Sequence, residues 1–351
     1  MSHWSRGRPP PLSLALQGGG AHGAFTWGVL DALLERGVDV AAFSGASAGA
    51  MNAVVCAHGL AVGGADGARA ALEAFWRAVA DQMPPAWHLP GDPPRLAPAG
   101  RALLAWARWL SPAQLNPLRV DPLRDVLAAQ VDFDRLRATP GPALFIAATE
   151  AQTARLALFR RGDLTLEALL ASACLPTIAH PVVIDGRALW DGAFSANPPL
   201  WPLVREVDAA DLLLVTLAPL APTALPSDAP GIAARTLDIG FAAPFLREAR
   251  WLAEAQADAR DGPWTWWRGG LARRLTRLRW HLIDADDALG ELPGETRLLP
   301  EWEFLQRLRD QGREAAQRWW GEHGPAVGRA SSVDALRRFG GEAPLRSRPA
   351  G

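Results

Sequence analysis

The sequence predicts an α/β layered fold. Apolar runs of strand length recur at 12–17, 40–44, 143–150 and 212–217. Stretches with apolar residues at helical spacing lie between them. Glycine-rich turns follow the first two runs, where a strand must hand over to a helix. Strands that alternate with helices bury a sheet between helical layers.

Taken in order, 12–17 (LSLALQ) reads as a buried strand that ends in three glycines. The segment 21–36 carries Phe25, Val29, Leu30, Leu33 and Leu34 at helical spacing, and Gly37 stops it. A second strand is predicted at 40–44, a small-residue buried helix at 48–58, and a further helix at 68–79 around Leu72, Phe75, Trp76 and Val79. Residues 84–120 differ: prolines punctuate them and Trp87, Trp106 and Trp109 stud them, so they read as an insertion over the core with one helix near 99–109. Beyond it come a helix at 122–130, a buried strand at 143–150, a neighbour at 156–160 and a helix at 165–172. A hairpin of 182–184 and 187–189 turns at Asp185-Gly186. The run 212–217 reads as the last clear core strand. A Pro/Ala linker at 218–230 opens a helical C-terminal third, with helices at 232–258 and 300–320 and a Leu/Arg stretch at 271–282.

The chain has 351 residues, with 36 basic against 37 acidic, a balance that removes the electrostatic case for nucleic acid. Two cysteines, Cys56 and Cys174, are too few for a disulfide framework or a cysteine zinc site. There are 16 Trp, no Tyr and no Lys. A GC-rich coding sequence accounts for that bias, and an Arg/Trp surface that meets lipid is the functional alternative. The absences exclude a Schiff-base or P-loop lysine and a tyrosine acid. The N-terminal residues are polar and Pro-rich and lack the apolar stretch of about 7–15 residues of a signal peptide. No run of about 18 uncharged apolar residues occurs, so a cytoplasmic protein open to peripheral membrane contact is expected.

Three motifs carry chemistry. Gly18-Gly19-Gly20-Ala21-His22-Gly23 follows a strand and opens a helix. Two functions use that arrangement: a dinucleotide site, which cradles a pyrophosphate at the helix N-terminus, and an oxyanion hole of adjacent backbone amides. Gly45-Ala46-Ser47-Ala48-Gly49 is G-x-S-x-G between a strand and an apolar helix, the setting of a nucleophile elbow. It also weakens the dinucleotide reading. The acid of such a site ends the second strand, whereas Asp39 precedes it and reads as a turn residue. Asp191-Gly192-Ala193 follows Trp190 and, alone, is an ordinary turn.

In this order the three motifs resemble the patatin-like phospholipase family, in its bacterial form. LALQGGGAHGAFTWGVLDALL, FSGASAGAMNAV and LWDGAFSANP carry the resemblance, with support from LNPLRVDPLRDVL and LLASACLPTIAHPVVIDG. It is strong over 12–203 and continues weakly through 279–284 and 300–320 to 331–334. It implies a three-layer α/β/α sandwich with a mainly parallel central sheet, a catalytic domain over 12–204, and a mostly helical extension over 205–345 that completes the fold, with disordered tails at 1–11 and 346–351. It further implies lipid acyl hydrolysis by a Ser–Asp dyad without histidine. Ser47 matches the nucleophile, Asp191 the base, and the amides of Gly18, Gly19 and Gly20 the oxyanion hole; Gly23, Gly45, Gly49 and Gly192 support the motifs. DGA stands where DGG is also common. No cofactor and no metal are implied, and the expected partner is an acyl lipid.

A carboxylate of ordinary pKa is a weak base for a hydroxyl, so the dyad needs burial to raise Asp191. A Ser–Asp–His triad would instead nominate His281, or less readily His22. His58 and His180 read as packing or loop residues. Leu271, Leu275, Leu278 and Leu282 share a helical face near Trp264, Trp266 and Trp267, which suits either an interfacial helix or ordinary core packing, while 280–283, before an acidic turn, suits a strand instead. The insertion at 84–120 is expected to line an acyl pocket, form a lid or make a satellite core. A non-catalytic lipid-binding protein on the same fold and a nicotinamide-dependent dehydrogenase are the competing functions.

Overall fold

A computed structural model describes residues 10–106, 109–219, 225–261 and 270–340. The predicted tails thus fall outside the described residues, apart from Pro10 and Pro11, as do Trp264, Trp266 and Trp267.

The strands are β1 (Leu12–Leu16), β2 (Val40–Gly45), β3 (His88–Leu89), β4 (Arg95–Leu96), β5 (Ala143–Glu150), β6 (Leu156–Arg160), β7 (Val182–Ile184), β8 (Arg187–Asp191), β9 (Asp211–Thr216) and β10 (Arg279–Asp284). Eight form one sheet in the order β10-β9-β1-β2-β5-β8-β7, with β6 also on β5, while β3 and β4 form a separate hairpin. The pairs from β10 to β5 are parallel and those beyond β5 antiparallel. The helices are α1 (Gly23–Glu35), α2 (Ala48–Asp81), α3 (Pro98–Trp106), α4 (Pro112–Leu115), α5 (Pro122–Gln130), α6 (Phe133–Ala138), α7 (Leu166–Ser172), α8 (Trp201–Glu206), α9 (Ala229–Asp261), α10 (Gly270–Arg277), α11 (Asp286–Leu289), α12 (Trp302–His323) and α13 (Ala335–Phe339).

Side chains alternate across the sheet with period two and so feed two cores. Leu12, Leu14 and Leu16 of β1 and Leu213 and Val215 of β9 join a core with α1, α2, α7 and α12. Ala15, Leu212 and Leu214 face the other way, towards Leu203, Phe245, Leu252 and Phe339 on α8, α9 and α13. Central strands buried on both faces read as unbroken apolar runs, which is why 12–17 and 212–217 were legible. The result is a three-layer α/β/α sandwich.

Several boundaries sharpen. The helices expected at 48–58 and 68–79 are the two limbs of α2, broken at Gly63-Gly64, where Gly64 has φ +62°. An 18-residue stretch of α2 is apolar enough to cross a membrane by composition, but 67% of it is buried in the fold. The run 212–217 is not the last core strand: the Leu/Arg stretch ends as a helix at Arg277 and re-enters the sheet as β10. Leu275 and Leu278 are buried against α9 and Leu282 lies on β10, so the four leucines share no single helical face. Gln256 on α9 fixes this join by donating to the carbonyls of Leu275 and Leu278. The short helices α6 and α8 were not anticipated. α6 is capped by Asp132, and two amides at the start of α8 are taken by Glu248 of α9.

Candidate active site

The site forms where β1, β2 and β9 end, the side on which open α/β sheets place their ligands. Gly45 ends β2 opposite Ile146, and Asp191 ends β8 opposite Ala148 on the same strand, β5. This register brings Ser47 and Asp191 to one corner of the sheet from positions far apart in sequence.

Ser47 joins β2 to α2 with φ +53° and ψ −128°, a conformation that L residues hold only when their surroundings impose it. Two contacts impose it here. A Cβ on Gly49 would lie 2.1 Å from the Leu16 carbonyl oxygen, and one on Gly45 would lie 2.6 Å from Gly49 backbone. Only glycines let the elbow close so tightly. Gly23 and Gly192 pack in the same way, against Ala48 and the Ala147 carbonyl. The Ser47 amide donates to the carbonyl and hydroxyl of Ser172 at the end of α7, at 3.0 and 3.1 Å. The residue is half-buried, and its hydroxyl lies near enough to the Asp191 carboxylate to favour the charged form.

Asp191 is 1% exposed. Burial pushes its carboxyl up to about 7, against the lowering pull of the Ala193 amide, which donates to Oδ1 at 2.8 Å, and of the Ser47 hydroxyl. Its backbone is fixed as well: its amide donates to the Cys174 carbonyl, and its carbonyl accepts the Thr149 hydroxyl. A carboxylate near 7 is matched to proton transfer at neutral pH, where an ordinary one would be too weak a base.

The glycine loop divides its amides. The Gly18 N–H, expected to join Gly19 and Gly20 in the oxyanion hole, donates to Asn197 Oδ1 at 2.7 Å. Gly19 is half-buried and Gly20 exposed, and Gly20 takes φ +60°. Gln17 anchors the strand end by accepting from the amides of Leu217 and Ala218. Asn197, Gln17 and Ser172 are the residues that sequence reasoning missed. Asn197 lay inside the matching stretch LWDGAFSANP, and a polar Gln17 closing an apolar strand was a signal in its own right.

The histidines go elsewhere. His281, on β10, bonds Asp211 through Nε2 and Ser332 through Nδ1, each at 3.0 Å, with β9 and β1 between it and β2. His22 is buried with Nε2 on Thr296 Oγ1 at 2.7 Å, and burial, followed by the Arg297 charge, lowers it to about 3. His58 meets the Asp132 amide and His180 the Asn116 carbonyl. A triad through His281 or His22 therefore has no geometric support. Asp39 is a full strand away from Gly18, its carbonyl on the Leu12 amide, too far for the ribose contact of a dinucleotide site. Among the described residues, no group of three or more His, Cys, Asp or Glu is gathered as metal ligands.

A sequence profile of the patatin-like phospholipases matches residues 14–204. Uncharacterized NTE family proteins of Mycobacterium tuberculosis and Mycobacterium bovis are 29% identical over 197 residues, which is 55% of this chain and 46% of theirs. The chain thus spans about half the length of the curated relatives it matches. Among solved structures, VipD from Legionella pneumophila aligns over 90% of this chain and 67% of its own, at 16% identity and a TM-score of 0.42.

Proposed function

The chain belongs to the patatin-like phospholipase family, and from that premise we propose that it cleaves the carboxylic ester bonds of phospholipids or related acyl lipids through a Ser47–Asp191 dyad. The observation that carries this reading is the strained Ser47 brought beside a buried Asp191.

Ser47 Oγ attacks the ester carbonyl while its proton passes to the Asp191 carboxylate. The carbonyl oxygen becomes an oxyanion and is met by the amides of Gly19 and Gly20; Gly18 serves the hole indirectly, held on Asn197. Collapse of the tetrahedral species breaks the bond to the leaving alkoxide, which takes the proton from Asp191 and departs as the alcohol. The acyl-enzyme is then attacked by water, with Asp191 again accepting a proton. A second collapse releases the fatty acid, and the Asp191 proton returns to Ser47. The start of α2 behind Ser47 adds a favourable dipole for the negative charge.

Contact with an acyl-lipid surface is part of the proposal. Large apolar side chains stand exposed at Trp106 and Trp109 in the insertion, at Ile178 before β7, and at Ile232 and Ile239 at the start of α9. That end of α9 is tied to the site by Phe241, edge-on to Phe194, three residues after Asp191.

A fluorophosphonate probe tests the chemistry whatever the natural ester is, because it reports an activated serine directly. Wild-type protein is expected to be labelled at Ser47, and Ser47→Ala to be unlabelled and inactive on ester substrates while retaining its fold. Labelling of Ser47→Ala at the wild-type rate would overturn the assignment.

A further inference from the structure

The family match ends at 204, yet a segment some ninety residues further on lies against the glycine loop. The turn Gly294–Leu298 acts as a strap. Glu295 accepts the Leu96 amide from the insertion, and Arg297 pairs with Asp238 on α9. The Arg297 carbonyl oxygen sits so close to Gly20 that a Cβ there would lie 2.3 Å from it. Between these two residues, Thr296 is fully buried and meets His22.

The hydrogen bonds run in one direction. The Thr296 hydroxyl donates to the Pro293 carbonyl at 2.7 Å, so towards His22 it accepts, and His22 carries its proton on Nε2. The imidazole, buried and edge-on to Phe304, is therefore fixed on the strap. Its own backbone amide donates to the Gly19 carbonyl. The Gly19 carbonyl and the Gly20 N–H belong to one planar trans peptide, in which the two groups point opposite ways. Holding the carbonyl on His22 therefore aims the Gly20 N–H away from it, out of the loop. On the Gln17–Gly18 peptide, by contrast, Asn197 takes up the Gly18 N–H itself.

We infer that Thr296 and His22 are a positioning pair for the proposed oxyanion hole: the strap, supplied from beyond the family-matched region, holds the His22 ring and, through the Gly19 carbonyl, keeps the Gly20 amide aimed at the reacting oxygen. This rests on the acyl-hydrolase reading above. Neither residue touches substrate. A loop freed to rotate misaims a donor that acts only in the transition state, so the effect belongs in kcat rather than KM.

The test compares Thr296→Val, which keeps the shape and loses the hydroxyl, with Thr296→Ser, which restores it. Three readouts are followed: hydrolysis of a short-chain p-nitrophenyl ester, inhibition by a trifluoromethyl ketone, and amide hydrogen exchange of the peptide covering 17–23. In T296V, kcat is expected to fall about tenfold to hundredfold at nearly constant KM, as for a displaced rather than deleted donor. The ketone, whose adduct places an oxyanion in the hole, should weaken in the same ratio. Exchange over 17–23 should quicken, and T296S should restore all three. The pairing is overturned if exchange over 17–23 is unchanged, if kcat stays within about twofold, if activity falls without loss of ketone affinity, or if T296S rescues nothing. Should T296V fail to fold, His22→Phe keeps an aromatic ring and loses the donor, and the first three of these outcomes apply. A wild-type protein that neither hydrolyses esters nor takes the fluorophosphonate refutes the acyl-hydrolase reading instead, and exchange alone then judges the strap.

Discussion

Asp191 and Asp211 are both buried carboxylates of the same sheet, and their surroundings drive them in opposite directions. Asp211 begins β9 beside Leu12, at the edge where the parallel strands start; Asp191 lies at the opposite edge, where β2 ends. Burial pushes both up. At Asp211 that push is outweighed by hydrogen bonds from His281, from both Nε and Nη2 of Arg279, and from the Gly328 amide, so its carboxyl sits well below the usual carboxylate range. At Asp191 the opposing groups are the bonded Ala193 amide and the nearby Ser47 hydroxyl, too few to offset burial, and no cation is paired with it among the described residues. A scaffold satisfies its buried charge, whereas a site leaves one short of partners and so keeps it basic.

The largest expected effect breaks the site end. Asp191→Asn should abolish ester hydrolysis, a fall of at least about 10³-fold, since general-base assistance alone contributes about 10²–10⁴. In wild-type protein kcat/KM should fall about tenfold per pH unit on the acid side of pH 7, as Asp191 takes up its proton. The stability sign is the reverse. A carboxyl raised in the folded state from 3.8 to about 7 contributes its full stabilisation below pH 4 and loses it as pH rises through 7. Asp191→Asn should therefore be more stable than wild type at pH 8, by about 2–4 kcal/mol from the linkage relation, and the two should converge near pH 4. Urea melts at the two pH values check this, and equal stability at pH 8 would remove the claim that Asp191 is held under-satisfied.

The scaffold end should answer in the other direction. Asp211→Asn leaves Arg279 and His281 without their carboxylate, and breaking a buried ion pair typically costs about 3–5 kcal/mol. The folded fraction should retain wild-type kcat/KM, because the carboxylate lies at the far edge of the sheet. A depressed carboxylate contributes stability above its unfolded pKa and loses it as pH falls below that value, so the difference between variant and wild type should shrink below about pH 4. A large loss of kcat at unchanged stability would show that the two ends are coupled.

What the sequence made legible follows the same division. The parallel strands announced themselves because burial on both faces demands unbroken apolar runs. Ser47 was identifiable because strain, glycines and a strand-to-helix switch are all local. Asp191 was a turn like any other until the other two motifs stood beside it. Thr296 left no local trace and Asn197 only its place in a matching stretch: their bonds to His22 and Gly18 span 274 and 179 residues, and no periodicity reports contacts of that range. The strand β10 was legible only as an alternative at 280–283, for a related reason. Its Arg279 and His281 are polar because Asp211 waits across the ladder, so burial on both faces does not show in the segment until its partner is known.

His281 gives the smallest effect and the clearest separation of sequence order from geometry. Its position after Ser47 and Asp191 is what the triad order requires, yet its ring sits between Asp211 and Ser332. His281→Gln keeps a hydrogen-bonding group in the cavity and loses one of the two bonds. It should cost about 1–2 kcal/mol, a few degrees of Tm for a chain of this size, and leave kcat/KM within about twofold. The measurement is a thermal melt alongside ester hydrolysis on the same preparation. A hundredfold loss of kcat with an unmoved Tm would return the histidine to the site and break the contrast between the two aspartates. A modest shift in Tm with full activity assigns His281 to the end of the sheet that holds the fold, and leaves Asp191 as the base its burial prepares it to be.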